Sequence, residues 1–111
     1  YTAFYRYEED RSLKRQSNYQ AIGPEDLVKK IKDPTIFLGD GLKTYGDYLL
    51  NSLPSLALFP SPSFRVSHGS MVATLGSELL QKGECLDLSN FAPLYIRPSE
   101  AEMKWQETHS D

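Results

Sequence analysis

A glycine–aspartate–glycine turn is the stretch of this sequence with the clearest potential for chemistry. Gly39-Asp40-Gly41 follows the apolar segment 35–38 and precedes a helical pattern that begins at Leu42. Glycines let the backbone turn tightly and approach a ligand closely, and a helix N-terminus presents free N–H groups to an anion. Gly39, Asp40 and Gly41 are therefore weak candidates for a nucleotide contact. The alternative is a structural turn, because a lone Gly-x-Gly motif has low specificity.

The other residue types that commonly do chemistry are few and scattered. His68 and His109 are the only histidines, and they do not form the His-x-x-x-His pair with a carboxylate that a zinc hydrolase requires. Cys85 is the single cysteine, and no histidine lies near it in sequence, although its base could be distant along the chain. We therefore predict no catalytic residues, no metal site and no cofactor in this chain.

The first seven residues place several aromatic side chains on an extended segment. Alternation along a strand puts Tyr1, Tyr5 and Tyr7 on one side and Phe4 on the other. An exposed face of this kind could stack nucleic-acid bases or form a protein interface. The alternative is a strand that is covered on both faces in the native protein.

The composition is that of a folded protein and excludes several classes. The 111 residues are 40% hydrophobic and 24% charged, which argues against disorder. The net charge of −3 gives no global attraction to nucleic acid or to an anionic membrane. No apolar run has the length of a membrane span, and a single cysteine permits no internal disulfide. We predict a soluble, cytoplasmic, single domain without a membrane partner.

The pattern of apolar residues predicts the order β-β-α-β-α-β-α followed by a C-terminal tail. This order is typical of an α/β domain with a mixed sheet and three or four helices. The predicted strands are residues 1–7, 13–22, 36–38, 56–59 and 92–97. The predicted helices are residues 24–33, 42–53 and 66–82, and a terminal helix or tail begins at residue 98.

Two of these elements carry predictions about packing. The segment 36–38 is uniformly apolar, which indicates a strand covered on both faces, as in a partly parallel sheet. In the last long helix, Ser67 is a possible N-cap and Gly83 a C-terminal stop. Gly76 is predicted to lie where this helix crosses the sheet.

Two motifs occur in the order seen in one known family. The run FLGDG (residues 37–41) follows the predicted hairpin, and the more specific run PLYIRPSEAE (residues 93–102) stands near the C-terminus. With the hairpin, these runs resemble the second half of the TsaB family, also called YeaZ. This family is glycoprotease-like and belongs to the superfamily of actin and sugar-kinase ATPases. The resemblance covers nearly the whole chain but only half of the family's protein.

The resemblance implies a ribonuclease-H-like fold that is duplicated into two lobes, of which residues 1–111 would be the C-terminal lobe. The absence of an initiator Met before strand-like sequence agrees with a fragment. The family's known role implies a non-catalytic scaffold subunit for threonylcarbamoyladenosine modification of tRNA. Its implied partners, through the full-length chain, are a TsaD-like transferase and a TsaE-like ATPase, and it would meet tRNA indirectly through that complex.

Two enzyme classes remain as alternatives. One is the nucleotide-binding lobe of an ATPase or sugar-kinase-like enzyme that uses the turn at residues 39–41. The other is a fragment of a glycoprotease-like hydrolase. A glycine-rich phosphate turn with catalytic acids in upstream sequence, or a His-x-x-x-His pair there, would favour an enzyme over a scaffold.

Overall fold

The computed structural model of the chain describes residues 1–98, 104–105 and 108–109, which form three α-helices and two small sheets. The predicted α/β class is confirmed. In this described part, the strands form two separate two-stranded sheets in place of the single mixed sheet that we predicted. One compact unit is Gly23–Phe91, and the other joins Tyr1–Ile22 to the segment that begins at Ala92. That the whole chain is one lobe of a larger protein stays a prediction.

The first two strands, β1 (Tyr5–Tyr7) and β2 (Leu13–Arg15), form an antiparallel hairpin. The backbone N–H of Glu8 donates to the carbonyl of Ser12 at 2.9 Å and closes the turn. The carboxylate of Asp10 accepts a hydrogen bond from the Ser12 N–H at 2.8 Å, which is the local bonding that makes aspartate favourable in turns. The predicted hairpin with a charged turn is therefore confirmed.

Both strands of this hairpin are shorter than the sequence predicts. Beyond them, pairing resumes only at a single bridge between Thr2 and Gln20. Between the strands and this bridge, the backbone N–H of Phe4 donates to the hydroxyl of Ser17 at 2.9 Å. In a regular antiparallel pair, it would donate to a backbone carbonyl of the opposite strand. Side chains of this type compete with regular backbone pairing, and the second segment consequently departs from an extended ladder.

Helix α1 (Pro24–Lys30) begins after Gly23, as predicted. Proline costs little at the start of a helix because its missing N–H would have no helical partner there. The helix ends earlier than predicted, since Ile31 is already extended, with φ −79° and ψ 118°. Ile31 is buried, so its side chain contributes to the core from the first position after the helix.

The centre of the second unit is a parallel β-α-β arrangement. Strand β3 (Thr35–Ile36) pairs in parallel with β4 (Ala57–Leu58), and helix α2 (Leu42–Ser52) connects them. Helix α1 packs against α2. The predicted parallel pairing is therefore confirmed. The buried apolar residues of the described chain are Ile31, Leu42, Leu49, Leu53 and Ala57.

The prediction that segment 36–38 is covered on both faces is wrong. Ile36 is 60% exposed and Leu38 is 66% exposed, whereas Phe37 between them is partly buried. Successive side chains of an extended segment point to opposite faces. Phe37 contacts Phe59 edge to face, with ring centroids 6.1 Å apart, so only this side of the segment is covered.

The close contact between a helix and the parallel pair occurs at Gly46, and the prediction that it occurs at Gly76 is wrong. A Cβ atom added to Gly46 on α2 would lie 3.4 Å from the ring of Phe59, the residue that follows β4. A Cβ atom added to Gly76 would meet no atom within 4 Å. Gly46 is therefore the helix glycine at which α2 lies in van der Waals range of the aromatic pair.

Helix α3 (Gly69–Gln81) begins later than predicted and is not capped by Ser67. Its N-cap is His68, whose carbonyl accepts hydrogen bonds from the N–H groups of Met71 and Val72 at 3.0 and 3.2 Å. The imidazole Nε2 of His68 lies 2.8 Å from the carbonyl oxygen of Ser63. A single 3₁₀ turn at Pro62–Phe64 precedes this helix.

The C-terminal end of α3 agrees with the sequence. Gly83 has φ +76° and follows the C-cap Lys82, which is the left-handed conformation that glycine commonly adopts after a helix. Residues 92–98 form no strand, and the predicted strand 92–97 is therefore wrong. Pro93 lacks the N–H that strand pairing needs. The predicted terminal helix or tail beyond Pro98 lies largely outside the described residues.

The substitution Gly76→Ala is expected to stabilise the protein by about 0.5–1 kcal/mol. Alanine loses less backbone entropy than glycine in a helix, and the added methyl group would meet no other atom. Gly83→Ala is the matched control and should destabilise, because its φ is +76°. Urea unfolding of both variants tests this, and a destabilising Gly76→Ala would show that α3 packs closely at Gly76.

Candidate functional site

The Gly39-Asp40-Gly41 turn links β3 to α2. Gly39 has φ +103°, a backbone conformation that other residues adopt only with strain. Gly41 has ordinary helical angles, with φ −54° and ψ −23°, and serves as the N-cap of α2. Backbone geometry therefore requires a glycine at position 39 but not at position 41.

The amide groups at the start of α2 already have acceptors within the turn. The N–H of Lys43 donates to the carbonyl of Asp40 at 2.9 Å, and the N–H of Thr44 donates to the carbonyl of Gly41 at 3.2 Å. An anion site at a helix N-terminus depends on amide groups that point at the ligand. The exposed carboxylate of Asp40 would also repel a phosphate. This geometry favours a purely structural turn over a nucleotide contact.

The two histidines and the cysteine each have their own surroundings. His68 contacts Ser63 at the start of α3, and the ring of His109 stacks on Trp105 with centroids 4.8 Å apart. Cys85 is exposed. Within residues 1–98, 104–105 and 108–109, no three His, Cys, Asp or Glu side chains are grouped so that they could hold a metal ion. The same residues contain no helix with the length and apolar character of a membrane span.

The first exposed feature of note is an aromatic and cationic surface on the hairpin. We define the hairpin face as Tyr5, Tyr7, Leu13, Arg15 and Tyr19. All five side chains are exposed. The guanidinium of Arg15 lies 4.2 Å from the centroid of the Tyr19 ring, which is a favourable cation–π distance. A hydrogen bond with Tyr19 raises the pKa of the Tyr5 hydroxyl above its ordinary value.

The second exposed feature is an apolar surface on α3. We define the α3 apolar face as Met71, Val72, Leu75 and Leu79, which recur at helical spacing along one side of the helix. All four side chains are exposed. Ser77 lies on the opposite side of the helix. Contiguous exposed apolar surface of this kind typically marks a site of protein contact.

Sequence reasoning found only part of these two surfaces. The exposed tyrosines of β1 follow from simple alternation, but the contact between Arg15 and Tyr19 does not. Period-2 spacing places Leu13, Arg15 and Tyr19 on one side of the second segment, but only the departure from a regular ladder after Arg15 brings Arg15 and Tyr19 into contact. For α3, helical spacing predicts an apolar side formed by Val72, Ala73, Gly76, Leu79 and Leu80. Only Val72 and Leu79 of this set belong to the α3 apolar face, and the sequence gives no sign that this face is left uncovered.

Comparison with known proteins finds no match for this chain. No family model matches the chain, and no curated protein and no solved structure matches it either. The α/β class accordingly stands on the secondary structure described above. Any assignment of family or activity is a proposal that rests on the two motif runs and on the exposed surfaces.

Proposed function

We propose that the chain is the C-terminal lobe of a TsaB-like scaffold subunit in the cytoplasm. In this proposal it has no catalytic residues of its own and acts through protein contacts in the threonylcarbamoyladenosine modification of tRNA. A TsaD-like transferase supplies the chemistry, and a TsaE-like ATPase completes the assembly. The runs FLGDG and PLYIRPSEAE support this assignment, since they occur in the order seen in that family.

The order of elements supports a ribonuclease-H-like lobe, whereas the single mixed sheet of that fold is not formed by the described residues. The chain runs β1-β2-α1-β3-α2-β4-α3, with a hairpin first and a parallel β-α-β arrangement after it. The FLGDG run spans the exit from β3 and the turn into α2. In this fold the turn would have inherited its position from nucleotide-binding ancestors and would serve here to start α2.

The observation that carries the scaffold role is the exposure of the α3 apolar face. A 13-residue helix whose apolar side chains are exposed leaves a surface that water solvates poorly. Burial of such a surface stabilises an assembly by roughly 25 cal/mol per Å² of apolar area. In the proposed two-lobe protein, the other lobe or a partner covers this face.

The variant Leu75→Glu tests whether the α3 apolar face is covered in the full-length protein. A glutamate carboxylate in a covered apolar interface would be buried without a partner, and we expect a loss of about 2–4 kcal/mol in the stability of the assembled protein. Urea unfolding of the full-length protein, alone and with a TsaD-like partner, measures the loss.

The control for this variant is Ser77→Glu on the opposite side of α3. It introduces the same charge at an exposed position, and we expect a change within about 0.5 kcal/mol. If both variants have equally small effects, the α3 apolar face is exposed in the assembly as well, and it no longer supports a scaffold role.

Complex formation tests the partner assignment directly. The full-length protein and a TsaD-like protein from the same organism would be mixed and analysed by size-exclusion chromatography with light scattering. We expect a single species whose mass is the sum of both partners. Two separate species at micromolar concentrations would overturn the proposed assembly.

A further inference from the structure

The hairpin face has a geometry that the scaffold role does not use. Directly opposite residues of an antiparallel pair lie on the same face of the sheet. The register sets Tyr5 opposite Arg15 and Tyr7 opposite Leu13, so two tyrosines and one arginine share the hairpin face. Arg6 lies opposite Lys14, and this cationic pair belongs to the other face.

The aromatic rings of the hairpin face are exposed, and that of Tyr19 is also held in place. Tyr7 is 70% exposed at the edge near the turn, which leaves most of its side chain accessible to a ligand. At the other end, the guanidinium of Arg15 lies 4.2 Å from the centroid of the Tyr19 ring and restrains it. A platform that is ordered in advance loses little conformational entropy when a ligand stacks on it.

The charges of the hairpin strands favour a polyanion. The paired residues of β1 and β2 include Arg6, Lys14 and Arg15 and no acidic side chain. The hairpin's acids, Glu8, Glu9 and Asp10, all lie in the turn at one end. The whole chain has a net charge of −3, whereas residues 5–15 carry four cations (Arg6, Arg11, Lys14 and Arg15) and these three acids, a local net charge of +1. Because electrostatic attraction at 0.15 M salt acts over only about 8 Å, this local charge is the relevant one.

From these three features we propose that the hairpin face binds single-stranded nucleic acid directly. Bases stack on Tyr7 and on the Tyr5 and Tyr19 cluster, while Arg15 contacts a phosphate and the Arg6 and Lys14 pair adds positive potential behind the face. Stacking on aromatic rings beside cations is how single strands are bound without sequence preference. This contact goes beyond the proposed scaffold role, in which tRNA is met only through partners, and it does not depend on that role.

Fluorescence anisotropy with a labelled 12-nucleotide single-stranded RNA tests the proposal. The full-length protein without partners would be titrated at 50 mM salt. Tyr7→Ala is expected to weaken binding about fivefold or more, because it removes one stacking surface, whereas Tyr7→Phe keeps the ring and should bind within twofold of the wild type. Arg15→Gln should weaken binding and reduce its dependence on salt.

The matched control is Tyr45→Ala on α2, a tyrosine that is 47% exposed outside the hairpin, and it should leave RNA binding unchanged. Absence of RNA binding by the wild type, equal weakening by Tyr45→Ala, or loss of binding in Tyr7→Phe would each overturn the proposal. If Tyr7→Ala instead disrupts the complex with a TsaD-like protein while RNA is not bound, the hairpin face is a protein interface. Complex formation measured without RNA tests the proposed function separately.

Discussion

The substitution Leu49→Ala is expected to lower the free energy of unfolding by about 2–4 kcal/mol. Leu49 lies on α2 and is only 4% exposed, the lowest value among the buried apolar residues of the described chain. Its truncation removes buried methyl groups and leaves a cavity that neighbouring side chains fill only in part. A typical domain is stable by only about 5–15 kcal/mol, so this loss would be a large fraction of the total stability.

The neighbouring residue Leu50 provides the control. It is on the same helix but is 42% exposed, so Leu50→Ala should cost less than about 1 kcal/mol while it changes helix propensity equally. Chemical denaturation of both variants gives the comparison. Equal losses of unfolding free energy in the two variants would show that the side chain of Leu49 is not packed in the core.

Gly39→Ala is expected to destabilise the protein by about 1–3 kcal/mol, because a residue with a side chain is strained at φ +103°. Space is not the reason, since an added Cβ atom would meet nothing within 4 Å. Gly41→Ala tests the other glycine of the motif. Gly41 has helical angles and equally open surroundings, so this substitution should change the unfolding free energy by less than about 0.5 kcal/mol.

Thermal unfolding with and without ATP extends this comparison to ligand binding. If the turn only starts α2, millimolar ATP should leave the melting temperature of the wild type unchanged, because a ligand that does not bind the folded state cannot stabilise it. A rise in melting temperature that Gly39→Ala abolishes would instead favour the nucleotide-binding alternative. In the comparison without ATP, equal destabilisation by Gly39→Ala and Gly41→Ala would contradict the backbone angles assigned to the two glycines.

Features fixed by local chemistry are those that the sequence predicts well. The start of α1 at Pro24 and the stop of α3 at Gly83 follow from the missing N–H of proline and the left-handed conformation of glycine. The hairpin follows from two extended segments around an acidic turn. Each of these depends on a few consecutive residues and not on what packs against them.

Features that depend on distant contacts are those that the sequence predicts poorly. An apolar run such as segment 36–38 shows that burial would be favourable, but not which faces are covered, and Ile36 proves exposed. Gly46 and Gly76 are both helix glycines, and only the contact with Phe59 distinguishes them. For the candidate surfaces, alternation predicts the tyrosines of β1, whereas the stacking of Arg15 on Tyr19 requires the observed break in register.

The most direct test of the scaffold proposal is the threonylcarbamoyladenosine content of cellular tRNA after the full-length protein is depleted. Mass spectrometry of digested tRNA would measure the modified nucleoside, and re-expression of the full-length protein would provide the control. The proposal predicts a strong fall in this nucleoside on depletion and its recovery on re-expression. An unchanged content in cells that no longer contain the protein would contradict the proposal.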